Sequence, residues 1–358
     1  MRTAKTLREL LAIRRQHSSR LRRLDGYLGS AVGYKWREQD GRFDQDAAGE
    51  PIPAVLIFLA KKKKAAEVAA DQVVSGMLNG SDGICCATDV IVGRMPNAAP
   101  SAPALSAENK TILKALHAGA PGIIGGMSLR AKNTVGTAAC VVRHRKTNKL
   151  GLLTNWHVSG DVGTKVGSYV TGLPLLGVTR HTVLTAPKTP HDLDDLESFV
   201  SVKHRLDCGY IELHPDAEKL AQSGVYGLPR FGARYVLDLD SLAILGQKVR
   251  GLGQTRGWER GTIIAYGYEW QDDETPGAHF ATNYLIMGEG NQPFAGPGDS
   301  GKLVLTDDDQ HRPLALLWGG ERQQFWGTGK AQDSWAYASD LNQALDHLDV
   351  DLHLATDS

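Results

Sequence analysis

Gly296-Pro297-Gly298-Asp299-Ser300-Gly301 sets a serine in a turn between glycines, with an aspartate directly before it. Glycine lacks a Cβ, so such a turn can bend sharply and a bound chain can come close. It aims a hydroxyl and its neighbouring backbone N–H groups at one point. Acyl transfer needs that combination of a nucleophile and donors for a developing oxyanion.

A second stretch gives the serine a partner. Leu152-Leu153-Thr154-Asn155-Trp156-His157-Val158 puts a histidine at the end of an apolar strand, before Ser159-Gly160 and 143 positions ahead of Ser300. A serine hydroxyl is a poor nucleophile until an imidazole accepts its proton, and the imidazole must be held in one tautomer by a carboxylate. In the chain order His, Asp, Ser, the acid falls between them. Leu206-Asp207-Cys208-Gly209-Tyr210-Ile211 offers Asp207 at the head of a short strand, while Asp192, Asp194 and Asp195 compete from a polar run that reads as a solvated loop.

His157, Asp207 and Ser300 in that order, with Gly-Asp-Ser-Gly, resemble the chymotrypsin-like (trypsin-like) serine proteases. Leu314-Ala315-Leu316-Leu317 running into Trp318-Gly319-Gly320 fits the same pattern. The order of Ile52–Phe58, Leu153–Val158, Phe294–Gly301 and Trp318–Gly320, with Ala338–Leu341 and Leu348–Leu352, is similar to the family of the plant Narrow Leaf protein and its bacterial relatives. The resemblance runs from about residue 50 to the end; the first fifty residues and the stretch 60–107 fit it poorly.

The resemblance implies a mainly β fold: two antiparallel β-barrels of the chymotrypsin type, a small α/β N-terminal extension and a C-terminal helix. The expected division is 1–107 for the extension, 108–245 for the barrel with His157 and Asp207, and 246–358 for the barrel with Ser300. It implies an endopeptidase that works through an acyl-enzyme, with His157, Asp207 and Ser300 as the triad and the N–H groups of Gly298 and Ser300 as the oxyanion hole. Phe294, Trp318 and Gly319 would bind substrate, with Phe294, six before the serine, flooring an apolar specificity pocket. No metal or organic cofactor is called for. The expected partners are a protein or peptide substrate and further copies of the chain. The rival function is a pseudoprotease acting as an oligomeric peptide-binding scaffold. Ile123-Ile124-Gly125-Gly126 resembles the N-terminus freed on activation of trypsin zymogens, but Gly122 precedes it. The preferred reading is a turn opening a strand, with Asp299 paired internally.

Bulk properties are those of an ordinary globular protein. The 358 residues are 42% apolar and 22% charged, with forty basic and forty acidic side chains. A net charge of zero gives no general reason to expect nucleic acid. No apolar run reaches the ~18 residues of a membrane helix. Cys85, Cys86, Cys140 and Cys208 show no disulfide or metal spacing and read as buried thiols of a cytoplasmic protein.

Along the chain, residues 1–24 carry eight basic residues against Glu9, with a helical apolar stripe of Leu7, Leu10, Leu11, Ile13, Leu21 and Leu24. The expectation is a helix docked within its own assembly with solvated arginines, the rival being a membrane or nucleic-acid adaptor. Ile52–Ala60 and Ile84–Val92 read as strands, Ala65–Met77 as a short helix, 94–107 as a linker, and Asn109–His117 as a helix. Short strands with turn signals then follow. Ser339 reads as the N-cap of a closing helix that ends at Leu348.

Overall fold

A computed structural model describes residues 2–37, 42–61, 63, 67–81, 83–92, 104–118, 122–168, 175–186, 202–271, 279–290, 292–320 and 335–354. The chain is mainly β. The linker expected at 94–107 and the competing Asp192, Asp194 and Asp195 lie wholly or largely outside the described residues.

In the C-terminal half, Lys248–Gly253 pairs with Gly257–Gln271, which pairs with His279–Gly288, then Trp335–Asp340, Pro313–Gly320 and Leu303–Thr306, all antiparallel. Leu303–Thr306 pairs back onto Lys248–Gly253, so the circuit returns to its first strand. In the preceding half the order is Thr134–Thr137, Ser128–Ala131, Lys165–Gly167, Gly177–Ala186, Val202–Leu213, Leu150–Thr154 and Cys140–His144. The two halves join where Val202–His204 runs parallel to His279–Ala281. Several elements are longer than the sequence suggests. Asp207 does not head a strand but lies inside Val202–Leu213.

The packing follows this division. Ile123, Leu129, Val141, Leu152, Val158 and Ile211 fill the first half, and Val249, Ile263, Tyr284, Phe294, Val304 and Leu314 belong to the core of the second. A further cluster bridges them, joining Cys140 and Leu153 to Leu252, Leu303 and the C-terminal helix Leu341–Leu348. That helix is capped by Asp340, whose carboxylate accepts from Gln343 N at 3.0 Å, not by Ser339. The Ser339 hydroxyl instead donates to the carbonyls of Arg205 and Leu206 at 2.9 and 3.0 Å. Asp349 takes the left-handed C-cap conformation at φ 56°, and Val350–Leu352 returns to pair with Cys140–His144.

Trp36–Arg37 and Arg42–Phe43 form a small sheet of their own, while the longer N-terminal strands join the large sheet. Tyr27–Tyr34 pairs with Pro53–Leu59 on one side and with Gly257–Gln271 on the other, and Pro53–Leu59 runs parallel to Ile84–Val92. The helix Leu7–Leu21 begins at Thr6, whose hydroxyl accepts from Glu9 N at 3.1 Å. Its apolar stripe is buried as the periodicity requires. Its arginines are not all solvated. Arg22 pairs with Glu269 at 2.9 Å in a buried site, Arg14 lies 4.0 Å from the same carboxylate, and Arg8 pairs with Asp240 at 2.8 Å. Much of the basic charge is therefore spent within the chain. In place of a helix at Ala65–Met77, the described part holds the short 3-10 turn Ala70–Gln72 and the strand Met77–Asn79. The four thiols are free and buried, and burial pushes Cys86 and Cys140 up to about 12. Among the described residues no helix is long and apolar enough to cross a membrane.

Candidate active site

His157 lies in the short helix Trp156–Ser159 that follows the strand Leu150–Thr154. Its first turn lacks a side-chain cap from Asn155. The cap comes from across the site: Asp207 Oδ1 accepts from His157 N at 3.1 Å. Asp207 Oδ2 lies 2.7 Å from His157 Nδ1, and Asn155 Nδ2 donates to Asp207 O at 2.7 Å. The carboxylate is fully buried. Main chain and ring are thus gripped by one acid, which fixes the imidazole's direction.

Asp207 reaches this position through a bulge. Val183 pairs with Cys208 and Thr185 with Arg205, so Leu206 and Asp207 stand opposite the single residue Leu184. Asp207 takes φ 47°, a conformation that costs a non-glycine residue free energy. The extra residue leaves the ladder and turns the carboxylate toward the helix.

Ser300 sits in the loop before Leu303–Thr306. Its carbonyl accepts from Thr137 N at 2.8 Å, Thr137 Oγ1 donates to Gly298 O at 2.9 Å, and Gln254 N donates to that hydroxyl at 3.1 Å. Thr255 Oγ1 donates to Pro297 O at 2.7 Å. Gly298 and Gly301 both lie at φ 92°, where a side chain would be strained. A Cβ on Gly136 would meet Val158 Cγ2 at 2.4 Å and Ser300 O at 3.0 Å. The Ser300 loop and the residue that follows His157 therefore both close on Gly136. Among the described residues the Ser300 hydroxyl makes no hydrogen bond with His157, and the N–H groups of Gly298 and Ser300 donate to no protein acceptor. Sequence reasoning missed Gly136, Thr137, Gln254 and Thr255; their value lies in contacts across the two halves, which no local pattern signals.

Asp299 is fully buried and held from within. Its Oδ1 accepts from Thr255 N at 2.9 Å and Arg256 N at 3.3 Å, and its Oδ2 from Gly296 N at 3.0 Å. Ile123 opens a short strand and donates its N–H to Leu220 O at 2.9 Å. Both observations agree with the internal pairing preferred from the sequence. Lys302 is also fully buried; its ammonium donates to Phe294 O and lies 4.2 Å from the centre of the Phe294 ring. Burial lowers the pKa of Lys302 and raises that of nearby Glu259, which pairs with Arg256 at 3.0 Å.

The expected specificity residues separate. Phe294 is 1% exposed and belongs to the core. Trp318 is half-buried, with Nε1 donating to Thr282 Oγ1 at 3.0 Å. It is a bulged residue: Leu317 pairs with Ala338 and Gly319 with Tyr337, leaving Trp318 out of register. Gly301 N donates to Leu317 O at 2.9 Å, so Trp318 and Gly319 follow directly on the strand that backs the Ser300 loop. Among the described residues no cluster of His, Cys, Asp and Glu has the form of a metal site.

Comparison with known families now places the chain. A model described as the Nal1 C-terminal domain matches residues 107–357, and one described as the NARROW LEAF 1 N-terminal domain matches residues 2–91. The chain belongs to the Narrow Leaf 1 family. The likeness therefore reaches into the N-terminal residues, where the sequence motifs had suggested a poor fit. Protein NARROW LEAF 1 of Oryza sativa subsp. japonica is 29% identical over 377 residues, covering 99% of this chain and 62% of its own length. A Bradyrhizobium tropiciagri protein named as a probable serine protease is 30% identical over 241 residues, covering 60% of this chain and 28% of its own. The chain thus spans less than two thirds of either relative. Among solved structures, Thermobifida fusca Protease A and Cellulomonas bogoriensis chymotrypsin align over 66% of this chain and 100% of theirs. Their identities are 18% and 16% and their TM-scores 0.43 and 0.42.

Proposed function

We propose that the chain is a serine endopeptidase of chymotrypsin type that hydrolyses peptide bonds through an acyl-enzyme. The observation that carries this is the 2.7 Å contact of a buried Asp207 with His157 Nδ1, beside a Gly-Asp-Ser-Gly loop clamped by Thr137. The closed circuit of strands in the C-terminal half supports the two-barrel reading, with the site between the halves.

In this reading Ser300 Oγ attacks the scissile carbonyl while His157 Nε2 takes its proton. The carbonyl π electrons move onto oxygen, and the oxyanion accepts from the N–H groups of Gly298 and Ser300. His157 then passes the proton to the leaving amine as the C–N bond breaks. Water attacks the ester by the same route and regenerates the hydroxyl. Asp207 holds the ring and stabilises the imidazolium. The missing Ser300–His157 hydrogen bond fits a resting site, since such contacts often tighten only with substrate. The three backbone donors on Asp299 support a loop that is shaped without an N-terminal cleavage.

Ser300→Ala tested beside wild type, with a fluorophosphonate probe and denatured protein substrates, decides the matter. Wild type should label and cleave, and the variant should lose on the order of 10⁴-fold or more in rate. Equal labelling, or no labelling of either, sinks the peptidase and leaves the peptide-binding scaffold.

A further inference from the structure

The strand that carries Asp207 also carries two cations. Side chains alternate along a strand, so Lys203 and Arg205 lie on one face. Lys203 is exposed and stands opposite Phe280 across the parallel pairing. Arg205 has its guanidinium carbon 4.6 Å from the centre of the Trp318 ring and its Nη2 3.6 Å from Asp207 Oδ2. Its Nε is buried without a hydrogen-bond partner. These contacts leave much of a five-donor group unspent, which is unusual for a guanidinium next to a buried carboxylate.

Trp318 opens a row of stacked rings. Tyr337 lies 5.0 Å away at 18°, Trp270 lies 6.0 Å away at 25°, and Phe280 continues 5.9 Å beyond Trp270. Trp270, Phe280 and Trp318 are half-buried. Stacking within a sheet accounts for the row itself. It does not account for a bulge that turns Trp318 out of register, or for a guanidinium with unspent donors at its edge.

We propose that Arg205, assisted by Lys203, and the Trp318 shelf read an acidic side chain of the bound peptide. The carboxylate takes the free η N–H groups of Arg205, which suit a planar two-oxygen acceptor, and its methylenes lie on the indole. Because Arg205 touches the residue that holds His157, the acidic residue sits within about three positions of the scissile bond. The assignment deepens the peptidase reading and depends on it only for that position.

The test uses the full-length Ser300→Ala protein and short fluorescent peptides identical except for Glu, Gln or Lys at one scanned position. Binding is read by anisotropy, and wild-type cleavage of the same peptides by kcat and KM. At one position Glu should bind roughly tenfold tighter than Gln, the yield of one charge-assisted contact, with Lys weakest. In cleavage the preference should appear in KM. Arg205→Gln should abolish it and Arg205→Lys retain part. If Arg205→Gln does not fold, Lys203→Glu at an exposed position must shrink the Glu-over-Lys ratio. Equal binding of the three peptides at every position, or no effect of Lys203→Glu, overturns the inference. Cleavage without charge preference overturns it while leaving the peptidase intact. Charge-selective binding with neither cleavage nor probe labelling keeps the shelf and sinks the peptidase.

Discussion

Thr137→Val replaces a fully buried hydroxyl by a methyl of nearly the same shape. The hydroxyl makes two contacts at once: it donates to Gly298 O at 2.9 Å and accepts from Gln254 N at 3.1 Å. Both partners belong to segments that shape the Ser300 loop, and valine leaves both without that contact. A buried group stripped of its partner costs about 1–3 kcal/mol. Gly298 is only part-buried and water can reach it, so the lower end applies there. The total loss of stability should be about 2–4 kcal/mol. The Gly298 contact bears on the proposed oxyanion donors. If about 1.4 kcal/mol of their placement is lost, the rate falls roughly tenfold, and up to ~10²-fold if one donor swings away. The assay is kcat and KM on a peptide substrate, with urea unfolding of the same preparations. Thr137→Ser, which keeps the hydroxyl, should recover most of kcat. Since the loss concerns the transition state, KM should hardly move. A valine variant with unchanged kcat refutes the idea that this hydroxyl shapes the loop, and unchanged unfolding as well would show that neither contact matters.

Gly136→Ala places a methyl against Val158 and Ser300 O, so it should cost about 1–3 kcal/mol by overpacking and slow probe labelling, which a stability curve and a labelling time course check together. Arg22→Ala breaks a buried pair with Glu269 and should cost about 3 kcal/mol, less whatever Arg14 and His279 restore, as read by urea unfolding. Burial, and then Arg22, lower the pKa of His279 below its usual 6.5. A lowered folded-state pKa means that the unfolded chain binds the proton more readily, so this stability is present above the unfolded value and is lost as pH falls through the folded one. His279→Gln should therefore flatten the decline in stability below pH 6.5, measured as thermal midpoints across pH; an unchanged slope assigns the acid sensitivity to other groups.

Much of the architecture is legible because its signals are local. The buried strand Pro53–Leu59, the body of the helix Ala107–His117 from Asn109 on, and the amphipathic Leu7–Leu21 all follow from apolar runs and periodicity. The misses are also physical. Ser339 has the composition of an N-cap, yet Asp340 takes the role because the Ser339 hydroxyl is drawn to the carbonyls beside Asp207. Nothing local in the N-terminal stretch signals that Tyr27–Tyr34 pairs with Gly257–Gln271, a contact between residues more than two hundred apart. Long-range pairing leaves no mark on composition.

The residues of the candidate site stand out in the sequence while the device that aims them does not. His157, Asp207 and Ser300 announce themselves by type and order, yet period-two alternation cannot say that Asp207 is a bulged residue at φ 47°. A regular strand has side chains that alternate between two faces, and shifting it by one residue reverses every face. Asp207 is buried against the helix of His157, while Arg205, two residues earlier, reaches the Trp318 ring. The extra residue on Val202–Leu213 lets one strand serve both directions, and the bulge at Trp318 meets it from the other half. Two irregularities, one in each half, thus bring acid, guanidinium and indole into contact. Deleting Leu206 to restore regular pairing should therefore cost more than a local defect. It would return Asp207 to regular pairing opposite Leu184 and draw its carboxylate away from His157 and Arg205, so peptide charge preference and probe labelling should disappear together. A deletion variant that keeps either one while still folding would show that the bulge does not couple the two.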